Sequence, residues 1–346
     1  MIRSVQSDRV RYGVLEGRRR RRRWPRALLA IAALAVVVSV LGLVLGSDTE
    51  LRDGDGAHPR VARVGAPLTI EDAKASTDER RRERSTQQFS LPVAADPLPV
   101  RYEFDDPPAA GILFDVDTGE ILWARHPDRE LPIASLTKMM TAHLIASRHR
   151  PDERVLISKK APLTGGSMVG VLPVGEKVPL GTLLKGLLLV SGNDAATALA
   201  EHDAGSVSRF VGRMNEEAKR LGLDCSRFTS PHGLEDAGNH SCPRDLAVLA
   251  RVDLANERIA KIARTDHDSV PFPVPGGVLE LYNNNPFIRA GDSTITGLKT
   301  GYTDAAGRCY VTTAVRGGRE LGVVLLDSPD PLTQVPKLLE LGAAAG

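Results

Sequence analysis

Three short polar motifs interrupt apolar segments of this 346-residue chain, and they constrain its fold more than any other feature. They are Ser135-Leu136-Thr137-Lys138, Ser191-Gly192-Asn193 and Lys299-Thr300-Gly301. Burying a polar group costs free energy unless the group finds a partner. Together the motifs would supply a serine nucleophile, a lysine base, a second hydroxyl–amide pair and a cationic strand edge, so we expect the fold to bring them into one cleft, although they lie far apart in the sequence.

The first motif can supply a nucleophile and a base. Residues i and i+3 share one face of a helix, so we expect the amine of Lys138 near the hydroxyl of Ser135. The amine can take the hydroxyl proton only in its neutral form. Burial, a second cation such as Lys299 and the positive end of the helix all favour that form. Taken alone, the motif is also compatible with an ordinary helix surface.

The second motif lies between two apolar segments that we predict to be helices, Leu183–Val190 and Ala195–Glu201. The Ser191 hydroxyl could relay a proton to a leaving amine. The Asn193 amide could hold both Lys138 and a substrate carbonyl. Taken alone, the motif is also explained as a helix break followed by an Asn cap.

The third motif ends a β-prone run and carries groups suited to binding. Lys299 would add positive potential, and the Thr300 hydroxyl would bind a substrate carboxylate. Gly301 has no side chain, so a ligand backbone can approach the strand closely. The backbone N–H groups of Ser135 and Tyr302 are the two candidate oxyanion donors. A strand that ends in a turn is the alternative for this motif alone.

The N-terminal region predicts export and a membrane anchor. Residues 1–26 are basic, and twenty uncharged residues follow from Ala27 to Gly46. That length suits a transmembrane helix. Arginine on one flank only predicts a cytoplasmic N-terminus and an extracytoplasmic remainder. A cleaved signal peptide is the alternative, and it predicts a secreted protein with a shorter mature mass.

The charge distribution argues against nucleic acid as a partner. Ten arginines against Asp8 and Glu16 give residues 1–46 a net charge of +8, so the rest of the chain carries −6 of the total of +2. A mildly acidic body does not suit a polyanionic partner.

The three cysteines are too few for a disulfide scaffold. Cys225 and Cys242 flank one polar loop, and an exported domain permits a bridge between them. The alternative is two buried thiols. Cys309 lies in an apolar stretch, which predicts a core position. No cysteine or histidine spacing resembles a zinc site, and we expect no metal or other cofactor.

The rest of the sequence predicts a linker followed by an α+β domain. Residues 47–100 are polar and are predicted to be a disordered linker, and 101–346 form the globular domain. Strands near both ends with helices between them predict an antiparallel sheet flanked by helices, with a helical insert. The individual predictions are a hairpin around 117–119, helices over 207–221, 246–262 and 332–341, and strands over 278–282, 294–300, 309–314 and 321–326.

The three motifs in this order are a mark of β-lactamases and penicillin-binding proteins. The chain resembles the serine D-alanyl-D-alanine carboxypeptidases of low molecular mass, over about residues 105–342. That resemblance implies a β-lactamase/transpeptidase-like fold. The segments that carry it are the opening hairpin 115–120, the nucleophile segment 132–141, the second motif 191–196, the loop 231–234 and the strand 297–303.

The resemblance implies a bacterial cell-wall hydrolase that acts on peptidoglycan stem peptides ending in D-Ala-D-Ala. Ser135 would attack the penultimate carbonyl with Lys138 as base, and Ser191 would help to protonate the departing D-Ala. β-Lactam antibiotics would acylate Ser135 as covalent inhibitors, and no metal is implied. The implied substrate-binding residues are Asn193, Lys299, Thr300, Gly301 and Tyr302.

The chain also departs from the family pattern. Many relatives carry an arginine after the last strand that helps to hold the terminal carboxylate, whereas Asp327–Pro331 contains none. Carboxylate recognition would then rest on Lys299 and Thr300 or on another cation. We also expect no C-terminal β-domain of the kind that several relatives have. Three alternative functions stay open: a DD-endopeptidase, a β-lactamase with glutamate-driven deacylation, and a non-catalytic wall-binding scaffold.

Overall fold

The two ends of the globular part form a sheet, and the middle of the chain forms a helical region. The computed structural model describes residues 88–92, 95–234, 237–273 and 276–345. The strands are β1 (Ala110–Asp115), β2 (Ile121–Arg125), β3 (Leu131–Pro132), β4 (Arg154–Leu156), β5 (Lys177–Pro179), β6 (His240–Ser241), β7 (His267–Pro271), β8 (Val278–Tyr282), β9 (Ile295–Thr303), β10 (Gly307–Arg316) and β11 (Arg319–Leu326). The helices are α1 (Lys138–Arg148), α2 (Leu180–Leu188), α3 (Asn193–Ala204), α4 (Val207–Leu221), α5 (Pro243–Leu254), α6 (Glu257–Ala263), α7 (Pro286–Arg289) and α8 (Pro331–Ala344). Two 3₁₀ turns cover Ala134–Thr137 and Ala161–Leu163.

The central sheet is antiparallel, with the strand order β2-β1-β11-β10-β9 among the described residues. The first hairpin, β1–β2, therefore pairs with the last strand, β11, in a register that runs from Ala110 opposite Leu326 to Asp115 opposite Leu321. Strand β9, which carries the third motif, lies at the edge. The predicted α+β class, with an antiparallel sheet and flanking helices, is confirmed.

Each face of this sheet is buried against different helices. Successive residues of a strand point to opposite faces, so Leu113, Val323 and Leu325 pack with Leu338 of α8. Their neighbours, such as Phe114 and Val324, belong to the larger core that also contains the helical insert. The sheet is thus a middle layer between α8 and the helices that carry the first two motifs.

The predicted helices and the strand Val278–Tyr282 are found, with one difference in each group. The segment predicted as one helix, 246–262, is split into α5 and α6, because the Asn256 side chain accepts hydrogen bonds from the N–H groups of Arg258 and Ile259 and starts a new helix. The strand Val278–Tyr282 forms as predicted, but it pairs with His267–Pro271 outside the central sheet. The amphipathic helix α4 has the predicted bounds.

Several predictions concern termini and cysteines. The predicted anchor, Ala27–Gly46, and most of the predicted linker lie outside the described residues. No helix within the described ranges is long and apolar enough to cross a membrane. Cys225 and Cys242 form a disulfide, and Cys309 is buried in β10, as its sequence environment predicts.

Two glycines allow a matched test of the packing. Gly322 lies opposite Phe114, and a Cβ atom at Gly322 would come within 2.2 Å of the Phe114 ring. Gly212 is exposed within α4, where an added Cβ would meet nothing within 4 Å. Gly322→Ala should lower the free energy of unfolding by about 1–3 kcal/mol through overpacking. Gly212→Ala should raise it by about 0.5–1 kcal/mol. Chemical denaturation of both variants measures this, and changes of the same sign would contradict it.

Candidate active site

The first motif lies where a 3₁₀ turn passes into α1. Ser135 belongs to the turn and Lys138 is the first residue of the helix. The Lys138 Nζ atom lies 2.8 Å from Ser135 Oγ and 2.9 Å from the carbonyl oxygen of His232. The side chain of Lys138 is fully buried, in keeping with an amine that is to serve as a base.

Burial and a neighbouring cation favour the neutral form of this amine. Burial lowers the pKa of Lys138 well below its usual value, the Lys299 cation lowers it further, and the Asp194 carboxylate opposes both effects. Burial also lowers the pKa of Lys299, to about 7. The lowered pKa favours the neutral form of Lys138, the form that can accept the proton of Ser135.

A loop from the middle of the chain closes over the first motif. Its His232 carbonyl accepts the hydrogen bond from Lys138, and its Pro231 carbonyl accepts one from Thr141. Gly233 has a φ of +76°, and a Cβ atom there would lie 1.9 Å from the Ala134 carbonyl oxygen. The sequence showed this loop only as a family likeness. The structure gives it a role in orienting the lysine.

The second motif forms the sharp connection between α2 and α3. Ser191 has a φ of +62°, and its buried Oγ has no hydrogen-bond partner among the described residues. Asn193 starts α3 and donates from Nδ2 to the Gly165 carbonyl at 2.8 Å. The expected contact of this amide with Lys138 is not formed, because the amide is directed at the loop 165–170.

That loop is held by a residue the sequence analysis did not single out. The buried carboxylate of Asp194 accepts hydrogen bonds from the N–H groups of Val169 and Gly170, each at 2.9 Å. The Asn193 N–H donates to the Ser167 carbonyl at 2.7 Å. These bonds fix Ser167 at the edge of the cleft. In the sequence, the aspartate directly after the motif is the signal that could have indicated these hydrogen bonds to the loop.

The third motif lies on the edge strand β9, next to the Ser135 turn. Lys299 is buried, and its Nζ donates to the Thr300 carbonyl at 2.8 Å. Gly301 passes so close that a Cβ atom there would lie 2.8 Å from the Ser135 backbone nitrogen. Only glycine allows this approach, which brings β9 to the candidate oxyanion donor Ser135 N–H.

One cleft of about 340 Å³ joins residues of all three motifs. Lys138, Asn193 and Lys299 are buried and do not line it, although Lys138 reaches it through Ser135. The expected convergence of the motifs is therefore observed. The lining residues are Ser135, Ser167, Ser191, Asn284, Thr300, Gly301, Tyr302, Arg308 and Tyr310.

Arg308 is the lining residue of greatest chemical interest that the sequence analysis missed. It lies on β10 directly opposite Tyr302 of β9, and its guanidinium donates to the Pro329 carbonyl at 3.2 Å. Pro329 belongs to the segment Asp327–Pro331, where the family arginine is missing. The register of the β9–β10 hairpin, which the sequence alone does not fix, is what brings Arg308 to the cleft.

The cleft residues do not form a metal site. Two groups of potential metal ligands occur among the described residues, one around His149 and one around the Cys225–Cys242 disulfide, and neither includes a residue that lines the cleft. The chemistry available there is that of a serine with the Lys138 amine behind it, backbone N–H groups and the Arg308 cation.

A serine that lines the cleft, paired with a buried lysine at the start of a helix and beside an edge strand with a lysine and a glycine, defines a serine acyl-transfer enzyme. The family model described as D-alanyl-D-alanine carboxypeptidase, peptidase family S11, matches residues 107–330. The chain belongs to this family.

Individual relatives agree with this assignment. The D-alanyl-D-alanine carboxypeptidase DacF of Bacillus subtilis is 34% identical over 67% of this chain and 61% of its own length. DacB2 of Mycobacterium tuberculosis is 34% identical over 68% of this chain and 78% of its own length. The crystal structure of the Streptomyces K15 DD-transpeptidase superposes with a TM-score of 0.65, at 29% identity, over 70% of this chain and 100% of that one. The chain spans only about three fifths of the length of DacF and of several other carboxypeptidases.

The lysine pair predicts a shift in the pH dependence of Ser135 acylation. The Lys299 cation lowers the pKa of Lys138, and it is present mainly below a pH of about 7. Lys299→Gln removes that cation, so the pKa of Lys138 should rise. The acidic limb of the pH–rate profile should then move to higher pH, and the maximal rate should fall.

The rate of labelling by a fluorescent penicillin, measured across about pH 5 to 9, gives this profile. Lys185→Gln is the matched control, because Lys185 forms a surface ion pair with Asp268 outside the cleft. A Lys299→Gln limb that stays in place or moves to lower pH would contradict the coupling.

Proposed function

We propose that this chain is a serine D-alanyl-D-alanine carboxypeptidase, which removes the terminal D-Ala from peptidoglycan stem peptides through an acyl-enzyme on Ser135. The observation that carries the proposal is the 2.8 Å contact between Ser135 Oγ and the buried amine of Lys138, in a cleft that all three motifs line or support. Membership of the D-alanyl-D-alanine carboxypeptidase family supports the choice of substrate.

The acylation step follows from the groups in the cleft. Lys138 Nζ takes the Ser135 proton while Oγ attacks the penultimate D-Ala carbonyl. The N–H groups of Ser135 and Tyr302 donate to the developing oxyanion. The C–N bond then breaks, and the departing D-Ala nitrogen receives its proton through Ser191, whose Oγ has no competing partner among the described residues.

Deacylation returns the enzyme to its starting state. A water molecule gives a proton to Lys138 and attacks the ester carbonyl. The bond between the carbonyl carbon and Ser135 Oγ then breaks, Oγ takes the proton back from Lys138, and the shortened peptide leaves with a new carboxyl group. β-Lactams enter the same pathway, because their amide takes the place of the peptide bond, and their acyl group stays attached to Ser135.

Carboxypeptidase action is favoured over the two catalytic alternatives. Rapid β-lactam hydrolysis depends on an acidic residue that activates the deacylating water, and neither aspartate nor glutamate is among the described residues that line the cleft. A D-alanyl-D-alanine endopeptidase of Escherichia coli is 30% identical over 63% of this chain and 71% of its own length. Cleavage of cross-linked peptides is therefore the second candidate activity, and it would use the same residues.

The proposal includes a location outside the cytoplasm. The twenty uncharged residues 27–46 behind a basic N-terminus support a single-pass anchor, with the catalytic domain at the outer surface. The Cys225–Cys242 disulfide agrees with an oxidising compartment. The mature N-terminus, read by intact mass, tests the anchor against a cleaved signal peptide.

The first test of the activity is mass spectrometry of a stem pentapeptide ending in D-Ala-D-Ala. The wild-type chain should release one D-Ala, and Ser135→Ala or Lys138→Ala should lower the rate by at least about 10³-fold, because nucleophile or base is lost. Lys185→Ala, on the surface, should retain the wild-type rate.

A parallel incubation with a cross-linked muropeptide dimer separates the two peptidase activities. Faster cleavage of the dimer than of the pentapeptide would replace the carboxypeptidase with an endopeptidase. Equal penicillin labelling of wild type and Ser135→Ala would instead favour a scaffold.

The second test concerns recognition of the terminal carboxylate by Arg308. A hydrogen bond to a charged group is worth about 1.5–3 kcal/mol. Arg308→Gln should therefore lower kcat/KM for the pentapeptide by about 10- to 100-fold.

The control substrate is the same peptide with its C-terminal carboxylate amidated, for which Arg308→Gln should change little. Arg264→Gln, an exposed arginine outside the cleft, is the control variant. An equal loss on both substrates would mean that Arg308 does not read the carboxylate.

A further inference from the structure

A cluster of two imidazoles and one carboxylate lies away from the cleft. Its members are His149, Glu153 and His202. The Glu153 Oε2 atom lies 2.8 Å from His149 Nδ1 and 3.1 Å from His202 Nε2. The other Glu153 oxygen, Oε1, accepts a hydrogen bond from the Arg150 N–H at 2.7 Å. That bond orients the carboxylate so that one oxygen faces both rings.

Each ring nitrogen of His149 faces a carboxylate oxygen, and a neutral ring can donate a hydrogen bond to only one of them. Its Nε2 lies 2.9 Å from Asp203 Oδ1, and its Nδ1 faces Glu153. A neutral imidazole has one N–H group and donates to only one of these carboxylates. The lone pair on the other nitrogen then points at an oxygen, unless a second proton or a metal ion lies between them.

The groups around His149 follow the pattern of a zinc site, in which a carboxylate orients a metal-binding histidine. A metal-bound histidine commonly donates its other N–H to a carboxylate, which fixes the tautomer and the ring orientation. Asp203 occupies that position, and it is itself held by Arg148 at 2.9 Å and by Arg213. His149 Nδ1, Glu153 and His202 Nε2 lie within 4.8 Å of one another, and all three side chains are partly exposed, so that an ion and a water ligand can enter.

We propose that His149, Glu153 and His202 form a binding site for one divalent zinc ion, with Asp203 orienting His149 and water as a fourth ligand. Two imidazole nitrogens and one carboxylate suit zinc better than calcium or magnesium, which take oxygen ligands. The three residues match no short zinc motif, so the site could not be expected from the sequence.

The place of the site suggests what the ion would do. His149 follows the last residue of α1, and His202 lies in the last turn of α3. The same two helices begin with Lys138 and Asn193, and helices of this length span about 16–18 Å. A zinc ion would therefore tie together, at their far ends, the two helices that carry catalytic motifs at their near ends.

The matched comparison is a second histidine–glutamate pair in the same chain. His267 contacts Glu280 on the β7–β8 hairpin, but no third ligand completes that pair among the described residues. His267→Gln thus removes an imidazole of similar chemistry without touching the proposed site. Zinc binding that is lost in His202→Gln but kept in His267→Gln would exclude a general effect of surface histidines.

The experiment uses the full chain in detergent, with its disulfide intact and without a histidine tag, titrated with zinc chloride by calorimetry. Wild type and His267→Gln should bind one ion with the same affinity. His202→Gln and Glu153→Gln should each bind at least about 10-fold more weakly. Zinc should also raise the unfolding temperature of wild type, and this rise should be absent in the two ligand variants.

Two results would overturn the proposal. One is zinc binding to His202→Gln and Glu153→Gln with wild-type affinity, which would place the ion elsewhere. The other is a wild-type chain that binds no zinc, which would identify the cluster as an ion-pair and hydrogen-bond network only. Because the two variants alter different elements, a folding defect in one, detected by circular dichroism, leaves the other to decide.

Discussion

The contact between Ser135 and the buried amine of Lys138 is the interaction on which the rest of the site depends. An amine in water is protonated at neutral pH and cannot accept a hydroxyl proton. Lys138 is fully buried, and the fold closes around it with the loop that contains Gly233 and with the edge strand that contains Gly301. A Cβ atom at either glycine would collide with the Ser135 turn. The two glycines are therefore what allows two distant segments to exclude water from one lysine.

The helices also affect the electrostatic potential in the cleft, through the directions in which they point. Helices α1 and α3 both begin at the cleft, so that the positive ends of their dipoles add to the potential there. Ser191 connects α2 to α3 in a left-handed backbone conformation that costs free energy for a residue with a side chain. Such strain, at a position whose buried hydroxyl has no hydrogen-bond partner in the part of the chain that the structure describes, is typical of a functional residue and is not explained by packing.

The sequence predicted what depends on local pattern, and it missed what depends on register and loops. The bounds of α4 and the pairing of β1 with β2 follow from apolar periodicity and turn residues. The convergence of the three motifs was expected because together they form one catalytic set, not because of any local pattern. The split at Asn256 depends on a single side-chain cap, which competes with an apolar pattern that continues through it. The contact of Asn193 with Gly165 was missed because the loop 165–170 has no periodicity to place it.

The position of Arg308 shows how such a site can vary without changing its reacting groups. Arg308 is exposed at the edge of the cleft, whereas the base Lys138 is buried behind the Ser135 hydroxyl. A cation at that edge needs only a strand position facing the cleft and a carbonyl to orient it, and Arg308 has both, through its place opposite Tyr302 and its bond to Pro329. The segment Asp327–Pro331, which lacks an arginine, here supports one from the neighbouring strand. The buried lysine has no such freedom, because its pKa depends on its burial and on the charges of Lys299 and Asp194.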